Sequence, residues 1–269
     1  MTSHELPAPQ PAGRLRNEPM PPRVVDPAAD ASPRLLAIRD WLLVALSFTS
    51  GTYEAICFLS FGKVFTGFQT GNLVFLGIGA AGTRPPSGPN PVTVIISLVA
   101  FAAGAGLAMP ILRAYDADAD VPNAQLWPRR VSIALGVALV LQAGFAAVWM
   151  STSTPAHLAY PLIALGALAM GLQMNAVRSL QVPGISTTAF TATLISLVSG
   201  VDTRSLTRVA VRRLGLSLLA LTAGAFVGDR MLGHAHAYAP VLPVVVIGVV
   251  IAIASVALKS PVVSHQAPR

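Results

Sequence analysis

"SFGKVFTGFQTGNLVFLG", residues Ser60 to Gly77, interrupts a strongly apolar region with Lys63, Thr66, Gln69, Thr70 and Asn72. A plain membrane helix has no use for five polar side chains; at membrane depth such groups face protein or a water-lined cavity. Gly62 lets the backbone turn. The stretch therefore predicts a chain that enters the membrane, bends at "SFGKV", and restarts as a short helix near Thr70–Asn72. Thr and Asn are natural caps for the free N–H groups at a helix start.

The surroundings of this stretch fix the class. Of 269 residues, 54% are hydrophobic and 11% charged, against about 25% charged in a soluble domain. The apolar residues gather in blocks at 41–62, 64–82, 92–113, 131–150, 158–177, 185–200, 214–231 and 238–258. A helix needs about 20 apolar residues to span a bilayer. Barrel strands would be shorter and would alternate in polarity, and soluble helices would carry polar faces. The fold class is all-α, a polytopic membrane helix bundle. The net charge of +7 lies in the tail and in short loops, so it points to membrane orientation rather than to nucleic acid.

Residues 1–36 are rich in Pro and charge and read as a disordered tail without a signal-peptide core. The membrane domain is expected over 37–259, with a short tail at 260–269. Cys57 is the single cysteine, so no intrachain disulfide forms. His234 and His236 in "GHAHAYAP" read as solvated, and neither a metal nor a cofactor is expected.

Two routes through the membrane compete. If all eight blocks cross, Arg113, Arg129 and Arg130 fall outside, against the positive-inside tendency. If 60–82 and 181–201 enter and return on the same side, six crossings remain. Arg113, Arg129, Arg130, Arg204, Arg208, Arg212, Arg213 and both termini then lie in the cytoplasm. The second route fits the charges better; the first leaves eight full crossings and parallel repeats.

The chain also repeats itself. At an offset of 121, "VFTGFQTGNLVFL" (64–76) lies over "ISTTAFTATLISL" (185–197), matching Thr66 to Thr187, Thr70 to Thr191 and Asn72 to Thr193; upstream, Glu54 meets Asn175. At 120, "AGA" (103–105) meets "AGA" (223–225). Three crossings plus one broken polar helix per half, about 38–150 and 158–259, make two inverted repeats, a plan common among transporters. Two half-helix N-termini would then form a polar seam from Glu54, Thr66, Gln69, Thr70, Asn72, Asn175, Arg178, Thr187, Thr188, Thr191 and Thr193. The simpler reading is helix packing, in which Thr, Ser and Gly bond across helices. Gly104, and Gly224 with Gly228, read as packing faces.

Glu54, within "SGTYEAICFL", lies deep in an apolar block, where a carboxylate is paired, protonated or functional. It is either a proton-linked or solute-binding group, or a hydrogen-bond acceptor for the backbone of the turn. Arg178 reads as a snorkelling residue at a helix end.

"GTYEAICFLSFGKVFTGFQTGNLVFLG" together with "GLQMNAVRSLQVPGISTTAFTATL" resembles the YoaK family of bacterial membrane proteins (domain of unknown function 1275). The resemblance covers about residues 38–258. The acidic position is usually Asp in that family and is Glu54 here. The resemblance implies a bacterial inner-membrane protein and no established reaction. The residues themselves predict a transporter or channel for a small polar solute, or else a non-transporting scaffold or assembly partner. No Ser/His pair, HExxH motif or acid dyad lies in the helices, so an enzyme is not expected.

Overall fold

The computed structural model describes residues 31–82, 88–113, 126–151, 158–182 and 208–258. These form seven α-helices: α1 (Pro33–Ser60), α2 (Gln69–Ala80), α3 (Pro91–Arg113), α4 (Arg129–Ser151), α5 (Ala159–Arg178), α6 (Arg208–His234) and α7 (Val241–Ala257). A short 3-10 turn, His236–Tyr238, joins the last two. Among the described residues there is no strand. Six helices are long and apolar enough to cross a membrane, and α2 is not one of them. Its 12 residues rise only about 18 Å, well short of the roughly 30 Å hydrocarbon core.

Helix α1 starts at Pro33, with Ser32 Oγ accepting from Leu35 N at 3.4 Å, a few residues before the expected domain boundary. Proline suits the first helical position, where no N–H partner is needed. The helix ends where Gly62 and Lys63 take left-handed φ values of 81° and 64°. Lys63 N then donates to Phe58 O at 2.9 Å, which closes the last turn. The turn expected at "SFGKV" is thus present.

Helix directions follow from two buried clusters. One joins Leu42, Leu43 and Leu46 of α1 to Leu112 (α3), Val131 and Ala134 (α4), Leu172 and Ala176 (α5), and Val250 and Ala254 (α7). The other joins Tyr53, Ile56 and Cys57 to Phe145 and Trp149 (α4) and to Leu162 and Ile163 (α5). So α1 and α4 run one way, and α3, α5 and α7 run the other. Helix α6 runs with α1, because Asp40 at the start of α1 pairs with Arg213 near the start of α6 at 3.3 Å. The six long helices alternate in direction. Residues 61–82 leave and residues 88–90 return at one end of the bundle, while α5 finishes and α6 begins at the opposite end.

Two helix pairs dominate the packing, α1 with α6 and α3 with α5. In both, backbone lies directly on backbone. A methyl built on Gly51 would collide with Leu221 O and one on Gly224 with Phe48 O; likewise Gly171 would meet Phe101 O and Gly104 would meet Leu168 O. Each member of the first pair of contacts has its counterpart 120 residues away. Gly104 and Gly224 are packing faces, as expected, and Gly228 closes on Thr52. Outward faces carry Val99, Val140, Leu219, Phe226 and Val256, all well exposed, as a lipid-facing surface requires.

Candidate functional site

The break between α1 and α2 runs through Phe61–Phe68, and its backbone is the problem the nearby side chains solve. Free N–H and C=O groups at this depth must find protein partners. Glu54 lies six residues before the end of α1, about 9 Å by helix rise. Its Oε2 accepts from Thr66 N at 2.9 Å, and its Oε1 accepts from Thr66 Oγ1 at 3.2 Å and from Gly67 N. Glu54 is 3% exposed and Thr66 wholly buried, so solvent does not compete for these bonds. A methyl on Gly67 would press on Glu54 Oε1 and on the Cε atoms of Met170 and Met174 of α5. The carboxylate, the break and α5 are therefore in close contact.

Asn72 does the complementary work. Its Oδ1 accepts from Phe65 N at 3.1 Å and its Nδ2 donates to Phe65 O at 2.7 Å. Gln69 Nε2 donates to Thr66 O at 2.7 Å, and Ser97 Oγ of α3 donates to Phe65 O at 2.6 Å. Gln69 Nε2 and Asn72 Nδ2 also reach Ser97 Oγ, at 3.2 and 3.3 Å. Three helices thus hold one stretch of non-helical backbone.

This arrangement brings together Glu54, Thr66, Gln69 and Asn72 and separates the rest of the expected set. Helix α2 begins at Gln69, with Phe68 in the cap position and no side-chain cap bond. Thr70 and Asn72 are therefore not caps: Thr70 is exposed, and Asn72 turns back to Phe65. Asn175 donates to Ala105 O of α3 at 2.8 Å, a bond between helices rather than part of the break. Arg178 is the exposed last residue of α5, at the bundle end opposite the break, and does not share an interface with Glu54. Glycine contacts recur at a separation of 120 residues, Gly51 with Gly171 and Gly104 with Gly224, a spacing at which Glu54 falls on Met174. Thr187, Thr188, Thr191 and Thr193 lie outside the described residues.

A second polar group was not anticipated. Ser50 of α1, Gln173 of α5 and Gln142 of α4 are buried and linked: Gln142 Nε2 donates to Gln173 Oε1 at 3.0 Å, and Gln173 Nε2 donates to Ser50 Oγ at 3.2 Å. Phe145, one turn beyond Gln142, packs on Tyr53 with ring centroids 5.1 Å apart. Tyr53 is one turn beyond Ser50 and adjoins Glu54. A polar column therefore follows the α1–α5 interface, with α4 beside it. The signal was present in sequence: an amide within "LVLQAGF" is as out of place as Glu54 in its own block.

A recess of about 520 Å³ opens between the ends of α1, α4 and α6, lined by Ser60, Trp149, Asp229, Arg230, His234 and His236. None of the expected site residues lines it. Among the described residues, no three His, Cys, Asp or Glu side chains cluster as a metal site would.

The comparisons agree with the sequence motifs. The family model described as "Protein of unknown function (DUF1275)" matches residues 42–253. The UPF0700 transmembrane protein YoaK of Bacillus subtilis (strain 168) is 32% identical over 169 residues, which is 62% of this chain and 69% of that protein. No solved structure matches. With its family match spanning most of the helical bundle, the chain is a multi-pass membrane protein of the YoaK/DUF1275 family.

Proposed function

We propose that this protein resides in the bacterial inner membrane and conducts a small polar solute along the interface between two inverted halves. The observation that carries the reading is the pair of matched glycine crossings. Gly51 on Leu221 and Gly171 on Phe101 are the same contact 120 residues apart, as are Gly104 on Leu168 and Gly224 on Phe48. Helices α1 and α5 run in opposite directions, so the operation that exchanges the halves is a two-fold axis in the membrane plane. Ser97, which ties the break to α3, has Ser217 at the same offset on α6, and both are fully buried. Inverted halves with a broken helix place solute sites at the repeat interface, where the polar column lies. Arg39, Arg113, Arg129, Arg130, Arg178 and Arg213 share one bundle end, which the charge rule assigns to the cytoplasm. The reading carries no catalysed reaction.

The test is solute flux in proteoliposomes, comparing the natural protein with Glu54→Gln and Asn72→Ala. Flux above empty vesicles that falls in both folded variants supports conduction; flux equal to empty vesicles across a broad panel removes it. A scaffold role is the second reading. It is favoured by the way Glu54, Gln69, Asn72 and Ser97 all bond to protein partners, and it predicts a co-purifying protein and no flux.

A further inference from the structure

The recess between the ends of α1, α4 and α6 carries two opposite charges that do not meet. Asp229 and Arg230 both line it. Successive residues point about 100° apart around a helix and do not face one another. Among the described residues, neither side chain makes an ion pair or a hydrogen bond. A carboxylate and a guanidinium thus open on one concavity of about 520 Å³, within the roughly 300–1,000 Å³ of small-molecule sites.

The walls are held in place by protein alone. Trp149, 2% exposed, donates from Nε1 to His236 O at 2.9 Å. Its ring stacks on the His236 ring with centroids 4.9 Å apart and meets Phe61 edge-on at 5.8 Å. The turn after α6 is therefore pinned to α4. His234 Nδ1 lies 3.0 Å from Arg230 O. A backbone carbonyl only accepts, so Nδ1 carries the proton of that bond and Nε2 of the neutral ring is an acceptor. Leu59 and Leu232 add apolar wall.

Donors and acceptors in the recess divide by sign. The Arg230 fork suits a carboxylate or a phosphate. Asp229 and His234 Nε2 accept. Helices α1, α4 and α6 all finish here, and helix C-termini carry partial negative charge. Those groups suit an ammonium. A simple anion would meet Asp229 and a simple cation would meet Arg230; a molecule with both charges answers both.

We propose that this recess binds a small zwitterion, an ammonium a few atoms from a carboxylate or phosphate. Its source is either a free solute of the amino-acid kind or the headgroup of an ethanolamine lipid. The proposal goes beyond the conduction reading and stands without it, because it concerns binding and not passage.

The experiment is calorimetric titration of the full chain in detergent. The probes are glycine and phosphoethanolamine, with acetate and methylammonium as single-charge controls. Short-chain phosphatidylethanolamine and phosphatidylglycerol form the lipid arm. The expected result is binding of at least one zwitterionic probe, with the single-charge controls at least about tenfold weaker, the scale of one charged hydrogen bond. Asp229→Asn and Arg230→Gln, each monodisperse and melting like the natural protein, should each weaken binding by about tenfold. Binding of glycine or phosphoethanolamine supports a free solute; binding of the ethanolamine lipid alone supports the headgroup. No binding of any zwitterion overturns the proposal, as does equal binding of acetate, methylammonium or phosphatidylglycerol. Undiminished binding in either folded variant overturns the joint role of the two charges. None of these failures touches the flux measurement, which tests conduction separately.

Discussion

Asn72 and Phe65 form a closed pair, the side-chain amide of one matching the backbone N–H and C=O of the other at 3.1 and 2.7 Å. The amide imitates a neighbouring strand at a point where the chain has no neighbouring strand. Replacing it by leucine leaves Phe65 N–H unmet in an apolar interior, while Phe65 O keeps only its bond from Ser97. Asn72→Leu should cost about 1–3 kcal/mol, chiefly from the one orphaned donor. Asn72→Asp should be no better, since it keeps the acceptor but sets a carboxylate against Phe65 O. Thermal melting in detergent checks both; a loss confined to Leu would show that the donor half of the pair contributes nothing.

Glu54 supports the same break from the α1 side. Glu54→Ala exposes the N–H groups of Thr66 and Gly67 to apolar surroundings, and it should lower the melting temperature more than Glu54→Gln, which keeps one oxygen to accept. Glu54→Asp keeps both carboxylate oxygens on a shorter reach and should fall nearer the natural protein than alanine does. An alanine variant as stable as the natural chain would remove the carboxylate from its structural role.

The glycines divide into two classes with opposite expectations. Alanine at Gly51, Gly104, Gly171 or Gly224 forces a methyl into a facing carbonyl, so the helix pair must part and the yield of monodisperse protein should collapse. Gly136 and Gly248 have open space around the added carbon. Alanine there should leave stability unchanged or raise it by about 0.5–1 kcal/mol through lower chain entropy. Size-exclusion profiles of the six variants separate the classes, and a normal profile for Gly51→Ala would contradict the backbone contact.

Labelling tests the orientation. Cys57 is fully buried, so the natural protein should not react with a membrane-impermeant maleimide, and introduced cysteines report alone. Asn123→Cys, between α3 and α4, should label only from the cytoplasmic side. Ser153→Cys, between α4 and α5, should label only from the opposite side. The same accessibility at both positions would break the alternation of helix direction.

The sequence reveals charges and turns more readily than it reveals partners. Glu54 stands out because a carboxylate in an apolar block is costly, and Gly62 because it marks a turn. The N–H groups of Thr66 and Gly67 that receive Glu54 have no side-chain signature. Asn72 resembles a cap chemically, but α2 already starts at Gln69, so the amide sits inside the first turn and points back along the chain. The Thr matches lie at an offset of 121, whereas the matched glycine contacts lie at 120. Gly51 and Gly171 carry that register, yet among 22 glycines they are inconspicuous. Gln142 and Gln173 carry the same oddity as Glu54 in a milder form, because an uncharged amide is cheaper to bury.

The two main helix pairs, α1 with α6 and α3 with α5, both join one half of the chain to the other. During synthesis, α1 therefore waits for a partner that begins at Arg208, long after its own residues have reached the bilayer. Until then Gly51 and its neighbours face lipid with nothing to fill them. The nascent protein must pass through a stage in which α1 is inserted without its main partner, and that stage is when a membrane protease has its best chance to act.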